Sequence, residues 1–180
     1  MTDYGPLACL AGTWKGDKGM DRSPEPGGEE STPYFETILY EPIGDVTNAQ
    51  SQTLSVLRYH QVVNRKLNGE VFHNETGYWM WDPKTGIVMH SLAIPRGVAL
   101  LAGGKAAVKD GATVFEVKAS LDSKDWGIVQ SPFMREKAAT KGFVQTVTVK
   151  GSEMSYEETT ILGIYGESFD HTDRNTLKRG

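Results

Sequence analysis

The 180-residue sequence holds one cysteine, Cys9, so no intrachain disulfide can form. Cys9 lies in the apolar stretch Leu7-Ala8-Cys9-Leu10-Ala11 with no base nearby, which makes it a small buried hydrophobe rather than a nucleophile. No apolar run approaches the ~18 residues that a membrane-spanning helix needs. The start, Met1-Thr2-Asp3-Tyr4-Gly5, lacks the basic head and apolar run of a signal peptide, so a cytoplasmic protein without a membrane partner is expected. Basic residues are not concentrated: 19 Lys and Arg against 23 Asp and Glu give a net charge of −4 with mixed signs, and nucleic acid is not an expected partner. There is no glycine-rich phosphate loop, no Cys-x-x-Cys and no serine nucleophile elbow. No acid–base pair stands out by spacing, and no catalytic residue is assigned. The pair Glu29-Glu30 reads as solvated.

What is present is turn chemistry. Twenty glycines and 8 prolines accompany a hydrophobic fraction of 38%. This suits many short strands in one domain, 1–180, with one core. Residues 6–11 read as a helical turn, with Pro6 suited to its start. Residues 34–40 alternate with period two, as do 113–121, where Thr113, Phe115, Val117, Ala119 and Leu121 share a face. Asn68-Gly69 marks a hairpin between strands at 52–63 and 70–81. Further strands are expected at 12–21, 87–94, 98–101, 143–150, 154–164 and 174–178. Glycines 12, 16 and 19 within the first mark bulges or close backbone approach. Residues 22–33, 42–45, 103–104 and 165–173 read as loops or turns, and 123–140 has helical propensity at 134–139. About ten strands joined by hairpin-length turns imply antiparallel neighbours, and closure removes exposed edges. The expected fold is all-β: a single antiparallel up-and-down β-barrel of about ten strands with a short N-terminal helical turn, wide enough inside for a small molecule.

Several short motifs fall in order along the chain: Gly12-Thr13-Trp14-Lys15-Gly16 after the apolar turn, His73-Asn74-Glu75-Thr76-Gly77-Tyr78, Ala93-Ile94-Pro95-Arg96-Gly97, Ser155-Tyr156, and His171 near the end. In these the chain resembles the nitrobindin family, haem-binding β-barrels related in architecture to fatty-acid-binding proteins and lipocalins. Gly19 falls one place later than the family's glycine, and the run from Tyr156 to His171 is one residue longer, which marks a divergent branch. The resemblance implies haem b, with His171 as the metal ligand and Phe72, His73, Ile94 and Thr160 at the cofactor pocket. It further implies nitric oxide as a ligand and isomerisation of peroxynitrite to nitrate as an activity. A ligating histidine gives its other N–H to an acceptor, for which Asp170, Asp173 or a backbone carbonyl is at hand. His73 is either a pocket residue or a wall histidine bonded to Glu75 or Tyr78. His60 and His90 carry no motif and read as strand residues with ordinary partners. Trp14 is expected to close the barrel bottom with Arg179 capping it, while Trp79 and Trp81, with Tyr78, are candidates to line a flat pocket. The rival reading is a metal-free carrier or sensor of an apolar small molecule. The oligomeric state stays open, a homodimer included.

Overall fold

In a computed structural model, which describes residues 2–180, eleven strands make one antiparallel sheet. They are β1 (Gly12–Glu25), β2 (Gly28–Ala49), β3 (Gln52–Arg65), β4 (Val71–Trp81), β5 (Ile87–Ile94), β6 (Val98–Lys109), β7 (Ala112–Ser120), β8 (Ile128–Gln130), β9 (Ala138–Lys150), β10 (Glu153–Ile164) and β11 (Glu167–Arg179). Ten of them form a closed barrel, as β7 pairs with β9, β5 with β6, and β1 with β11. The three-residue β8 pairs with the start of β6, where β7 does not reach. The Gln130 side chain then ties β8 to β9 by taking both backbone groups of Thr140, at 3.1 and 2.9 Å. A six-residue helix, α1 (Pro132–Lys137), is capped by the Ser131 hydroxyl. No helix is long and apolar enough to cross a membrane.

The lower end is sealed. A 3₁₀ turn at Gly5–Cys9 places Leu7 and Leu10 inside, both fully buried. Trp14 Nε1 donates to Leu10 O at 2.7 Å, and the Arg179 guanidinium lies 4.3 Å over the Trp14 ring while donating to the carbonyls of Cys9 and Ala11. Above this floor the inward positions are apolar: Leu57, Trp79, Val88, Phe115, Val117, Phe143, Val147 and Met154. Cys9 is half-buried, and burial foremost pushes its thiol pKa up, which suits a packing role.

Several expected loops are strand. Residues 22–33 form a two-stranded ribbon in which Arg22 opposes Ser31 and Pro24 opposes Glu29, turning at Gly27. Both faces of the ribbon meet water, so no apolar alternation betrayed it. Gly44, at φ +94°, sits at a bulge within β2 rather than in a turn between strands. Gly103 and Gly104 lie inside β6, where a Cβ on Gly104 would stand 1.8 Å from Glu116 O. The missing side chain of Gly104 serves close strand approach, and that of Gly103 makes room for the Trp126 ring; neither makes a turn. The turn expected at 165–173 is confined to Tyr165 and Gly166, both at positive φ, so His171 lies on a strand. Leu121 lies beyond the end of β7 and is 41% exposed, while Phe115, Val117 and Ala119 face inward as the alternation required.

Candidate functional site

The upper end of the barrel divides in two. On the β5–β9 side Ile128 and Met134 are buried, and Ile94, Trp126 and Ala138 pack against the core that contains them. On the β1, β3, β4, β10 and β11 side a cavity of about 230 Å³ opens, lined by residues that include Phe72, His73, Glu75, Tyr156, Glu158, His171, Asp21 and Asp173. A more open concavity of about 360 Å³ lies on the outer wall around Lys18, Thr148 and Glu157, with no imidazole and no buried carboxylate.

Strand register builds the first half of this mouth. Asp21 on β1 stands directly opposite Asp173 on β11, Asp173 opposite Glu158 on β10, and Glu158 opposite Gln145 on β9. Three carboxylates therefore lie in a row across three neighbouring strands and face the cavity. His171, two residues before Asp173, shares its face. Its Nε2 reaches Asp21 Oδ1 at 2.5 Å and Asp173 Oδ2 at 3.3 Å. Burial works against charge on His171, but the Asp21 hydrogen bond and the Asp173 charge outweigh it, and its pKa rises. Burial pushes Asp173 up to about 6 against the pull of His171. Burial also carries Glu158 well above the usual carboxylate range, and the charge of Glu75 adds to the rise.

The facing wall belongs to β3 and β4. His73 Nε2 stands 3.4 Å from Glu75 Oε2, and the Tyr59 hydroxyl donates to Glu75 Oε1 at 2.5 Å. Burial resists ionisation of Glu75, yet His73 and the Tyr59 hydroxyl overcome it, and its pKa falls; that of His73 rises in turn despite burial. The two glutamates of the mouth are thus driven in opposite directions, Glu75 down and Glu158 up. The Arg65 guanidinium covers the Phe72 ring at 4.5 Å on the rim.

Beneath the cavity the polar network continues into the core. Glu36 accepts from Gln61, Tyr156 and Asn175 at 2.6, 2.9 and 2.7 Å, and burial raises its pKa to about 7. His90 stacks on Trp79 at 4.3 Å and donates from Nε2 to the Tyr59 hydroxyl at 2.9 Å. Burial lowers its pKa to about 4. Among the described residues His90 Nδ1 and Gln145 Oε1 are buried without a partner. Turning the Gln145 amide over lets its NH₂ donate to Nδ1 and its oxygen accept from protonated Glu158, which satisfies both groups.

Of the residues expected at the pocket, Phe72, His73 and His171 meet at this cavity, whereas Ile94 and Thr160 do not line it. Ile94 packs on the plugged half, and Thr160 sits opposite His171 one step above Glu158 on the inward parity. The acceptor that His171 Nε2 meets is Asp21; Asp173 lies 3.3 Å from the same nitrogen, and Asp170 is exposed. The aromatic set does not form a flat pocket: Trp79 is core, Trp81 lies against the 3₁₀ turn at Gly5, and Tyr78 faces out, 44% exposed. His60 has the ordinary partner expected, Asn74 at 2.9 Å. His90 instead sits at the centre of the buried network. Asp21, Glu36 and Glu158 were not singled out; their inward parity on alternating strands was the one available signal.

A family model described as the THAP4-like, haem-binding β-barrel domain matches residues 3–179, and the chain belongs to that family. No curated protein matches it. Among solved structures it is similar to the crystal structure of Rv2717c from M. tuberculosis, at 22% identity and a TM-score of 0.74, with 99% of each chain covered. The fold is common to both. The side chains of this mouth do not fit a haem. The cavity of about 230 Å³ is smaller than the ~300–1,000 Å³ of ordinary ligand pockets. Its wall carries four carboxylates where a macrocycle requires an apolar face, and the Nε2 of His171 is engaged by Asp21.

Proposed function

We propose that this member of the THAP4-like haem-binding β-barrel family binds one small polar ligand in the mouth cavity, between the His73–Glu75 pair and the Asp21–His171–Asp173 cluster. The observation that carries this reading is the lining itself. Four carboxylates, two imidazoles and one guanidinium converge on a cavity of about 230 Å³ at the barrel mouth, above a sealed apolar floor. Such walls recognise hydrogen-bonding and positively charged groups, and they penalise an apolar molecule by leaving its polar surroundings unpaired. The barrel supplies rigidity on one wall, where Asp21, Asp173 and Glu158 are each paired on both sides, so little order is lost there on binding.

A second reading is favoured by the family description: haem b, with His171 as its axial imidazole and Phe72, His73, Ile94 and Thr160 around it. Ferric haem, when bound, would supply the iron for nitric oxide binding and for peroxynitrite isomerisation. For this, His171 must leave Asp21. Haemin titration separates the two readings. We expect no saturable Soret shift in wild-type protein. A sharp shift that saturates at one haemin per barrel and disappears in His171→Ala would overturn the polar-ligand reading in favour of haem. Anilinonaphthalene sulfonate tests the apolar-carrier alternative in the same way. Saturable fluorescence enhancement, displaced by a fatty acid, is the outcome that would establish it, and none is expected.

A further inference from the structure

The row Asp21–Asp173–Glu158 is hard to explain as a device for stability alone. Like charges placed directly opposite one another across an antiparallel ladder are destabilising. Here Asp21 and Asp173 make such a pair, with Glu158 next in the row. One imidazole, His171, answers two aspartates, so even when protonated it leaves the trio negative. Asp21 is only 5% exposed; its Oδ1 reaches His171, and among the described residues no amide, hydroxyl or guanidinium donor reaches its Oδ2. That unanswered oxygen belongs to a side chain that lines the cavity.

We propose that Asp21, His171 and Asp173 form a site for one divalent transition cation, with Glu158 beside them and an open coordination position facing the cavity. This deepens the polar-ligand reading and rests on it, since the cation would be what the mouth offers to its ligand. One ligand atom from each of the three residues lies within 4.8 Å of the others. With metal–ligand bonds of about 2.0–2.2 Å, ligand atoms of a tetrahedral centre stand about 3.3 Å apart. The separations of 2.5 Å from His171 to Asp21 and 3.3 Å to Asp173 need only a small opening. Three protein ligands with a vacant fourth place is the pattern of a site that exchanges water or substrate. The imidazole selects zinc, iron or manganese over calcium and magnesium, which prefer oxygen ligands alone. A cation also accounts for why two carboxylates meet on one half-buried imidazole, because it neutralises what His171 cannot.

The test uses untagged full-length protein, dialysed free of metal and then equilibrated separately with Zn²⁺, Mn²⁺ and Mg²⁺. Bound metal is counted and thermal unfolding recorded. The expected result is one Zn²⁺ or Mn²⁺ per barrel with a raised midpoint, no saturation with Mg²⁺, and affinity weakened about tenfold or more in each of Asp21→Asn, Asp173→Asn and His171→Ala. In metal-free protein Asp173→Asn should raise the unfolding midpoint, since it relieves repulsion, while abolishing the metal-induced rise. A purely structural His–Asp pair predicts the opposite sign in metal-free protein. The proposal is overturned if no saturable one-to-one binding occurs, if the variants bind as the wild type does, or if Asp173→Asn lowers the metal-free midpoint. Haemin capture through His171 in the parallel titration removes both the cation and the polar-ligand reading. Loss of the cation alone leaves the cavity reading to be decided by polar ligands.

Discussion

The two ends of this barrel are built on opposite principles. At the floor, Leu7, Leu10, Trp14, Met154 and Leu177 are fully buried, and each polar atom that approaches them has a partner: Trp14 Nε1 has Leu10 O, and Arg179 has the carbonyls of Cys9 and Ala11. At the mouth, four carboxylates face one cavity, two of them raised in pKa by burial. The floor lowers the free energy of the fold by removing apolar surface from water, at roughly 1.5–3 kcal/mol for each large side chain. The mouth spends part of that gain on buried groups that repel one another. Such an arrangement persists in a closed barrel because the ladders on both sides hold the strands whatever the mouth residues prefer. Stability and ligand chemistry are thereby assigned to different ends of the same strands: β1 carries Trp14 below and Asp21 above, and β11 carries Leu177 below and His171 above.

Substitutions at the two ends should therefore differ in size and in sign. The largest effect is expected from Trp14→Ala, which opens a cavity in the floor and should cost about 3–5 kcal/mol, read from the urea unfolding midpoint. A loss under about 1 kcal/mol would mean that the floor is not the stabilising end. Next comes Arg179→Ala, which removes two charge-assisted hydrogen bonds and a cation–π contact on the rim of the floor. We expect about 1–2 kcal/mol, with only part recovered in Arg179→Lys because an ammonium cannot fork between two carbonyls. Between the two ends sits Glu36, whose pKa burial raises from 4.5 to about 7. A carboxyl held above its unfolded value binds more protons in the folded state, so its contribution to stability is full below about pH 4.5 and is lost as pH rises through about 7. Glu36→Gln should flatten the decline in unfolding midpoint over that interval; an unchanged pH profile would show that Glu36 does not titrate there. The smallest effect belongs to the mouth. Glu158→Gln, tested in metal-free protein, should change stability at neutral pH by less than about 0.5 kcal/mol, since burial pushes the Glu158 carboxyl up and the neutral amide keeps a donor for Gln145. A large loss would mean that Glu158 is ionised and held by a partner, which would make the mouth resemble the floor.

The parts of the fold that could be read from the residues are those with one wet and one dry face. The alternation of Phe115, Val117 and Ala119, the Asn68-Gly69 turn and the Trp14 floor all followed from local patterns. The ribbon at 22–33 did not, because it is wet on both faces; nor did Gly103-Gly104, where glycine admits the Trp126 ring and the neighbouring strand instead of making a turn. At the site, His73 and His171 were visible as imidazoles in recurring motifs, and Asp173 as an acceptor near His171. Asp21 lies 150 residues from His171 along the chain, and no local pattern links them.

The sequence by itself determined the period of the strands, the turns between them, and hence a closed antiparallel barrel with an apolar lower end. These depend on neighbours within a few residues, where side-chain alternation and backbone preference act. Tertiary structure alone decided which polar residues meet. Closing β1 against β11 set Asp21 opposite Asp173, and pairing β11 with β10 set Asp173 opposite Glu158. Register across a ladder fixes such encounters to a single residue, because a shift of one would turn every side chain to the other face. That register sets His171 beside two aspartates, and the charge of the mouth follows from it.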